Sequence, residues 1–232
     1  MLKKLLFATV IAIFVFAGDL TAQNLNMKTR LDSVAYVIGQ NIGASLKRDE
    51  LMLDMELFKA GVNDALYKNS SVIPLELMQK LMGEFQQEMQ EKAIKKQTEQ
   101  LDKNKAEGEA FLNANKTKPG VKTTESGLQY KVIKEGTGNS PKSSDVVKVH
   151  YRGKLLNGKE FDSSYSRNEP TEFPLNQVIK GWTEGVQLMK VGSVYTFWLP
   201  SYLAYGDEGT GGEIGPGATL EFEVELLEIV AQ

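Results

Sequence analysis

The chain has 232 residues, 41% hydrophobic and 25% charged, with a formal net charge of −3, which is enough for one large domain or two small ones of ordinary globular composition. That balance supplies no basic field for phosphates, so nucleic-acid binding through phosphate contacts is excluded. With no Cys and a single His, His150, the chain has no route to a disulfide, a cysteine nucleophile, a zinc-thiolate site, an acylated N-terminal Cys or a His-rich metal cluster, and no metal or other cofactor is expected.

The first residues read "MLKKLLFATVIAIFVFAGDLTAQ". Lys3 and Lys4 give a positive start. Leu5 to Ala17 is an apolar run too short for a membrane span and suited to the core of a signal peptide. Residues 1–22 are therefore expected to be a removed secretory signal, with an uncleaved anchor as the alternative. After signal removal no stretch is apolar enough for stable membrane insertion.

Residues 23–115 are predicted helical. "MKTRLDSVAYVIGQNIGASLKR" places Leu31, Val34, Ala35, Ile38, Ile42 and Leu46 at spacings of three and four, an apolar stripe. Gly39 and Gly43 lie beside it, one turn apart. Glycine costs a helix about 1 kcal/mol relative to Ala, so the pair points to close approach of another helix, within one monomer or between two chains. "DMELFKAGVNDAL" is a short second helix started by Asp54. Pro74 opens a long third helix in which Leu77, Leu81, Phe85 and Met89 recur at i+4. Beyond Ile94 the sequence "KKQTEQLDKNKAEGEAF" is nearly all polar around Leu101 and reads as a solvent-crossing spacer, with Gly108 weakening its last turns. Such a thin domain buries little surface alone, and dimerisation would supply the rest. Met52, Met55, Met78, Met82 and Met89 suit an adaptable interface or fill a monomer core equally well.

Residues 116–126 form a linker punctuated by Pro119 and Gly120. From residue 127 to 232 the period changes from 3.6 to 2. "GLQYKVIKEG", "VVKVHYRGKL", "SVYTFWLP" and "TLEFEVELLEIV" read as antiparallel strands with one wet face. "GWTEGVQLMKVG" alone looks helical, with Trp182, Val186 and Met189 on one side. The fold class is α+β: an antiparallel sheet wrapped on one short helix, preceded by an all-α domain and a long connecting helix.

One helix on one sheet leaves a concavity that Tyr151, Phe161, Phe173, Trp182, Tyr205 and Phe222 would line. These residues are a plain core or a ligand pocket. Asp162 directly after Phe161, and Tyr205 at the head of "GDEGTGGEIGPG", favour the pocket, because apolar cavities with a few fixed polar groups are the usual ligand sites. Glu221, Glu223 and Glu225 alternate onto one face and read as solvated surface. His150 reads as an exposed strand residue with no triad around it. The glycine-rich loop lacks the ending of a phosphate cradle.

"VHYRGKLLNGKEFDSSYSRNEPTEF", "NQVIKGWTEGVQLMKVGSVYTFWLPSYLAYG" and "IGPGATLEFEVELLEI" together closely resemble the FKBP-type peptidyl-prolyl cis-trans isomerases. "DSVAYVIGQNIGASLK", "LFKAGVNDAL" and the long helix resemble the N-terminal domain of the macrophage infectivity potentiator group of that family. The resemblance implies catalytic roles for Asp162, Tyr205 and Tyr151. It implies substrate binding by Phe161, Arg167, Phe173, Val178, Ile179, Trp182, Ile214 and Phe222, with Trp182 as the floor under the proline ring. Thr171 departs from the family's frequent aromatic wall residue, and Asp207, Glu208 and Glu213 make the loop unusually acidic. The resemblance also implies a periplasmic, outer-membrane-associated or secreted homodimer joined by its N-terminal helices. Its partners would be unfolded or proline-containing polypeptides and, as inhibitors, macrolides. The alternative function is a holdase-type chaperone with a weakly active pocket.

Overall fold

The computed structural model describes residues 27–68 and 70–230; the expected signal segment lies outside them. Two compact units divide near Leu75.

In the first unit, α1 (Arg30–Arg48) begins with a capping box in which Thr29 accepts from the Asp32 amide and Asp32 accepts from the Thr29 amide. Each cap satisfies donors that a helix start leaves orphaned. The side chain of Asp54 caps α2 (Met55–Asn63), which runs into a π-helical turn at Asp64–Lys68. Neither helix buries a residue, and Leu31, Val34, Ile38 and Ile42 stand exposed along α1. A Cβ built on Gly39 or Gly43 would meet nothing within 4 Å. These glycines serve no close packing among the described residues.

The second unit holds residues 76–115 of α3 (Leu75–Asn115) and the sheet domain. Seven antiparallel strands follow: β1 (Val121–Thr123), β2 (Gln129–Lys134), β3 (Val146–Leu155), β4 (Glu160–Ser163), β5 (Thr171–Pro174), β6 (Val194–Leu199) and β7 (Leu220–Val230). Their order is β1-β2-β6-β7-β3-β4, with β5 paired to the same edge of β3 as β4. The long β3–β7 ladder, from Val146↔Val230 to Leu155↔Leu220, is the spine. On one face, Val147, Val149, Tyr151, Phe197, Leu199, Phe222, Val224 and Leu226 meet the helix α4 (Lys180–Gln187), whose Trp182 and Val186 are buried with Met189 just beyond its end. Gly181 and Gly185 let α4 lie against the sheet, since a Cβ at either would overlap Leu199 or Phe197. The expected α+β arrangement is the observed one.

The other face is not wholly wet. Residues of the polar stretch read as a solvent-crossing spacer dock on it instead. Phe111 lies 6.5 Å from the Trp198 ring. Gln129 Nε2 donates to the Leu112 carbonyl and Asn115 Nδ2 donates to Gln129 Oε1. Gly108 is buried, and a Cβ there would overlap Thr219 Oγ1. The helix runs through Gly108 unbroken, and the glycine answers to its neighbour.

Candidate active site

The site sits where the edge of β3 turns through β4 and β5 to the start of α4. Tyr151, Phe161, Asp162, Phe173, Gln177, Val178, Ile179, Trp182, Tyr205 and Phe222 line a cavity of about 340 Å³. Trp182 is 4% exposed and meets three rings edge-on: Tyr151 at 5.2 Å, Phe222 at 5.4 Å and Phe173 at 5.5 Å. Phe161 stands edge-on to Phe222 at 5.6 Å. Edge-to-face contacts at these spacings are the favoured aromatic geometry. The Trp182 indole N–H is buried with no acceptor among the described residues.

Polar groups gather on one wall. The Tyr151 hydroxyl donates to Asp162 Oδ2 at 2.5 Å, and Arg167 Nη1 donates to Asp162 Oδ1 at 2.6 Å. Arg167 Nη2 reaches the Tyr151 hydroxyl at 3.0 Å and Thr171 Oγ1 at 3.3 Å. Burial works to raise the Asp162 carboxyl, but the bonds from Tyr151 and Arg167 outweigh it and hold it below the usual carboxylate range. Burial, then the Asp162 bond, pushes the Tyr151 phenol up. Burial, then the Asp162 charge, does the same for Tyr205. At neutral pH the wall therefore holds one carboxylate, one guanidinium and two neutral phenols.

Two donors besides the Trp182 indole have no partner among the described residues. The Tyr205 hydroxyl makes no hydrogen bond among the described residues, and Tyr205 is 40% exposed at the rim. Ile179 precedes α4, and its carbonyl accepts from Trp182 and Thr183. Its own N–H donates to nothing among the described residues. Free donors beside an apolar floor suit a ligand that brings carbonyls.

Nine of the residues anticipated from sequence line the cavity together. Arg167 stands behind Asp162 and Tyr151 and does not line it, while Ile214 is packed into the core at 5% exposure. Asp162 organises Tyr151 and Arg167 and makes no hydrogen bond to Tyr205. Gln177 was not anticipated; its only sequence signal is its place directly before Val178 and Ile179. Away from the cavity, His150 is half-buried, stacked on Tyr165 at 4.7 Å and bonded to Ser164. Glu221 is tied down by the Trp198 indole at 2.7 Å and is not free surface.

Residues 138–227 match the family described as FKBP-type peptidyl-prolyl cis-trans isomerase, and residues 31–132 match the domain amino-terminal to it. The chain belongs to the FKBP-type peptidyl-prolyl cis-trans isomerases and is an enzyme of that class. It is 45% identical over 205 residues to a probable FKBP-type peptidyl-prolyl cis-trans isomerase FkpA of Neisseria meningitidis, covering 87% of this chain and 75% of that one. It is 35% identical to the outer membrane protein MIP of Legionella longbeachae over 99% of this chain and 98% of that one. The crystal structure of FkpA from Escherichia coli superposes with a TM-score of 0.70 at 38% identity, covering 87% of this chain and 97% of that one. Among the described residues no helix is long and apolar enough to cross a membrane.

Proposed function

We propose that the aromatic cavity is the isomerase site and that it speeds the folding of exported proteins. The single observation carrying this is the pair of unpartnered donors, the Ile179 N–H and the Tyr205 hydroxyl, beside the Trp182 floor. A prolyl bond isomerises unaided in tens to hundreds of seconds, and its barrier of about 18–20 kcal/mol is lost amide resonance. The planar amide is dipolar and well solvated, and the twisted one is less so. An apolar cavity therefore raises the planar state more than the twisted state. Trp182, Val178, Ile179 and Phe222 hold the ring. Ile179 N–H and Tyr205 bind the flanking carbonyls. Asp162, kept anionic by Tyr151 and Arg167, faces the carbonyl as it turns. No nucleophile or metal enters. Each tenfold gain in rate needs only about 1.4 kcal/mol, so several modest contacts suffice. Isomerisation of a short X-Pro peptide by the chain, followed through a protease that cuts only the trans form, is the test.

Two further readings rest on the first unit. Leu31, at 76% exposure, with Val34, Ile38 and Ile42 forms an uncovered apolar stripe, and Gly39 and Gly43 leave its flank open. This supports a homodimer joined through residues 23–115, with a second copy of the stripe covering the first. An apolar groove bounded by Leu46, Leu51, Met52, Leu53 and Met55 supports capture of unfolded chains, the holdase reading. Export to the periplasm, or association with the outer membrane, is supported by the signal-like residues 1–22 and by the Legionella relative's name.

A further inference from the structure

We propose that one turn of α3, built from Leu101, Asn104 and Lys105, positions the loop that carries Tyr205, making Asn104 a positioning residue for catalysis; this rests on the reading that Tyr205 serves the substrate.

The last part of α3 is exposed except along one line. Leu101, Asn104, Gly108, Phe111, Leu112 and Asn115 are half or fully buried, at spacings of three and four with one adjacent pair. The first turn of that line meets the glycine-rich loop 206–217 at both of its feet. Asn104 Nδ2 donates to the Pro216 carbonyl at 2.7 Å. Lys105 Nζ reaches Asp207 Oδ2 at 2.7 Å. Gly217 has a positive φ of 69°, and a Cβ on it would lie 2.7 Å from Leu101 Cδ1. The two feet are bonded to each other, since the Gly217 N–H donates to the Gly206 carbonyl at 3.0 Å. Gly206 is the residue after Tyr205.

A loop this rich in glycine loses much conformational freedom when it is ordered. Its internal bonds, Gly209 N–H to the Tyr205 carbonyl and Thr210 N–H to the Ile214 carbonyl, shape its middle, and the Gly206 N–H donates to the Ser201 carbonyl at 2.8 Å at the first foot, which leaves the Pro216–Gly217 foot to α3. The Tyr205 hydroxyl has no partner to hold it, so its place is set through the backbone. The contributions of α3 are unequal. Lys105 and Asp207 are 48% and 59% exposed, and such pairs contribute little. Asn104 is better placed, because its Oδ1 accepts from Gln100 Nε2 at 2.8 Å, which aims Nδ2 at Pro216. Of the contacts α3 makes, the Asn104 bond and the Leu101–Gly217 contact therefore hold the loop most firmly.

Asn104→Asp in the full chain tests this. Aspartate keeps the size and the acceptor for Gln100 but turns a carboxylate oxygen toward the Pro216 carbonyl. The expected result is a fall of about two- to fivefold in kcat/KM on a short X-Pro peptide, no larger than that on removing the Tyr205 hydroxyl, with little change in melting temperature. In a Tyr205→Phe background the same substitution should cost little more, because the hydroxyl it positions is gone. Lys103→Ala, on the exposed side of the same turn, should leave the rate unchanged. An unaltered rate in Asn104→Asp, or an equal fold loss in both backgrounds, overturns the proposal while the pocket reading stands. A wild-type chain without catalysis overturns both.

Discussion

The Asp162 carboxylate receives both the Tyr151 hydroxyl and the Arg167 guanidinium, at 2.5 and 2.6 Å. The three groups come from β3, β4 and the turn before β5, so three successive segments of the chain assemble the polar wall. Asp162→Ala should lower kcat/KM at least about tenfold, or 1.4 kcal/mol. The carboxyl side chain is 43% exposed, so the loss of stability should stay below about 1 kcal/mol. A steady-state assay beside a melting curve separates the two.

The pH dependence follows from the directions of the shifts. Asp162 titrates lower in the folded chain than its ordinary value, which is about 3.9. Its contribution to stability is therefore fully present above that value and lost as pH falls through the lower folded one. Tyr205 titrates higher, through burial and then the Asp162 charge, so its donor should persist beyond the ordinary tyrosine value of about 10. The pH–rate profile should be flat from about pH 5 to 9, and a titration centred near neutrality would contradict the assignment.

Trp182→Leu should affect two properties. In the free protein Trp182 already packs on Tyr151, Phe173 and Phe222, so the variant should lose about 2–3 kcal/mol of stability. It should also lose most of its peptide affinity while still folded, seen as a raised KM well below its melting temperature. A variant that melts early yet keeps its KM would make the tryptophan a packing residue alone.

Much of the sheet domain was legible because its signals are local. The change of period near Leu128 marked the strands, and the spacing of Trp182, Val186 and Met189 marked the buried side of α4. Tyr151 and Phe222 in the lining followed from the same alternation, and the rest from the family resemblance. What escaped were features that depend on a distant surface. The strands β4 and β5, which carry Asp162 and Phe173, are four residues each, too short for a period to appear. The docked end of α3 was hidden because its contact line is mixed in chemistry. Asn104 and Gly108 sit in a stretch that reads as solvent-crossing until Pro216 and Thr219 stand opposite them.

That docking makes a prediction of its own. Phe111→Ala uncovers Trp198, which is 8% exposed. It should cost about 1–3 kcal/mol, less than a fully enclosed aromatic because Phe111 is only half-buried. Trp198 emission should shift to the red, resolved from Trp182 by comparison with Trp182→Leu. An unshifted spectrum at unchanged stability would place the end of α3 off the sheet in solution.

The dimer reading is tested on α1. Light scattering of the mature chain should give twice the monomer mass. Ile38→Asp should drive it toward monomer, because a charge in a buried apolar seam lacks a partner. A monomeric wild type at micromolar concentration would leave the exposed stripe to the holdase reading.

The central claim is that the cavity over Trp182 turns prolyl bonds using the free Ile179 N–H and Tyr205 hydroxyl. The most direct measurement is the rate of cis-to-trans conversion of a short X-Pro peptide by the full chain, wild type beside Tyr205→Phe. The account predicts clear catalysis by the wild type and a fall of about threefold to tenfold on removing the one hydroxyl, with unchanged melting. Equal rates for the two proteins would contradict it, since the donor on which the site was read would then do nothing.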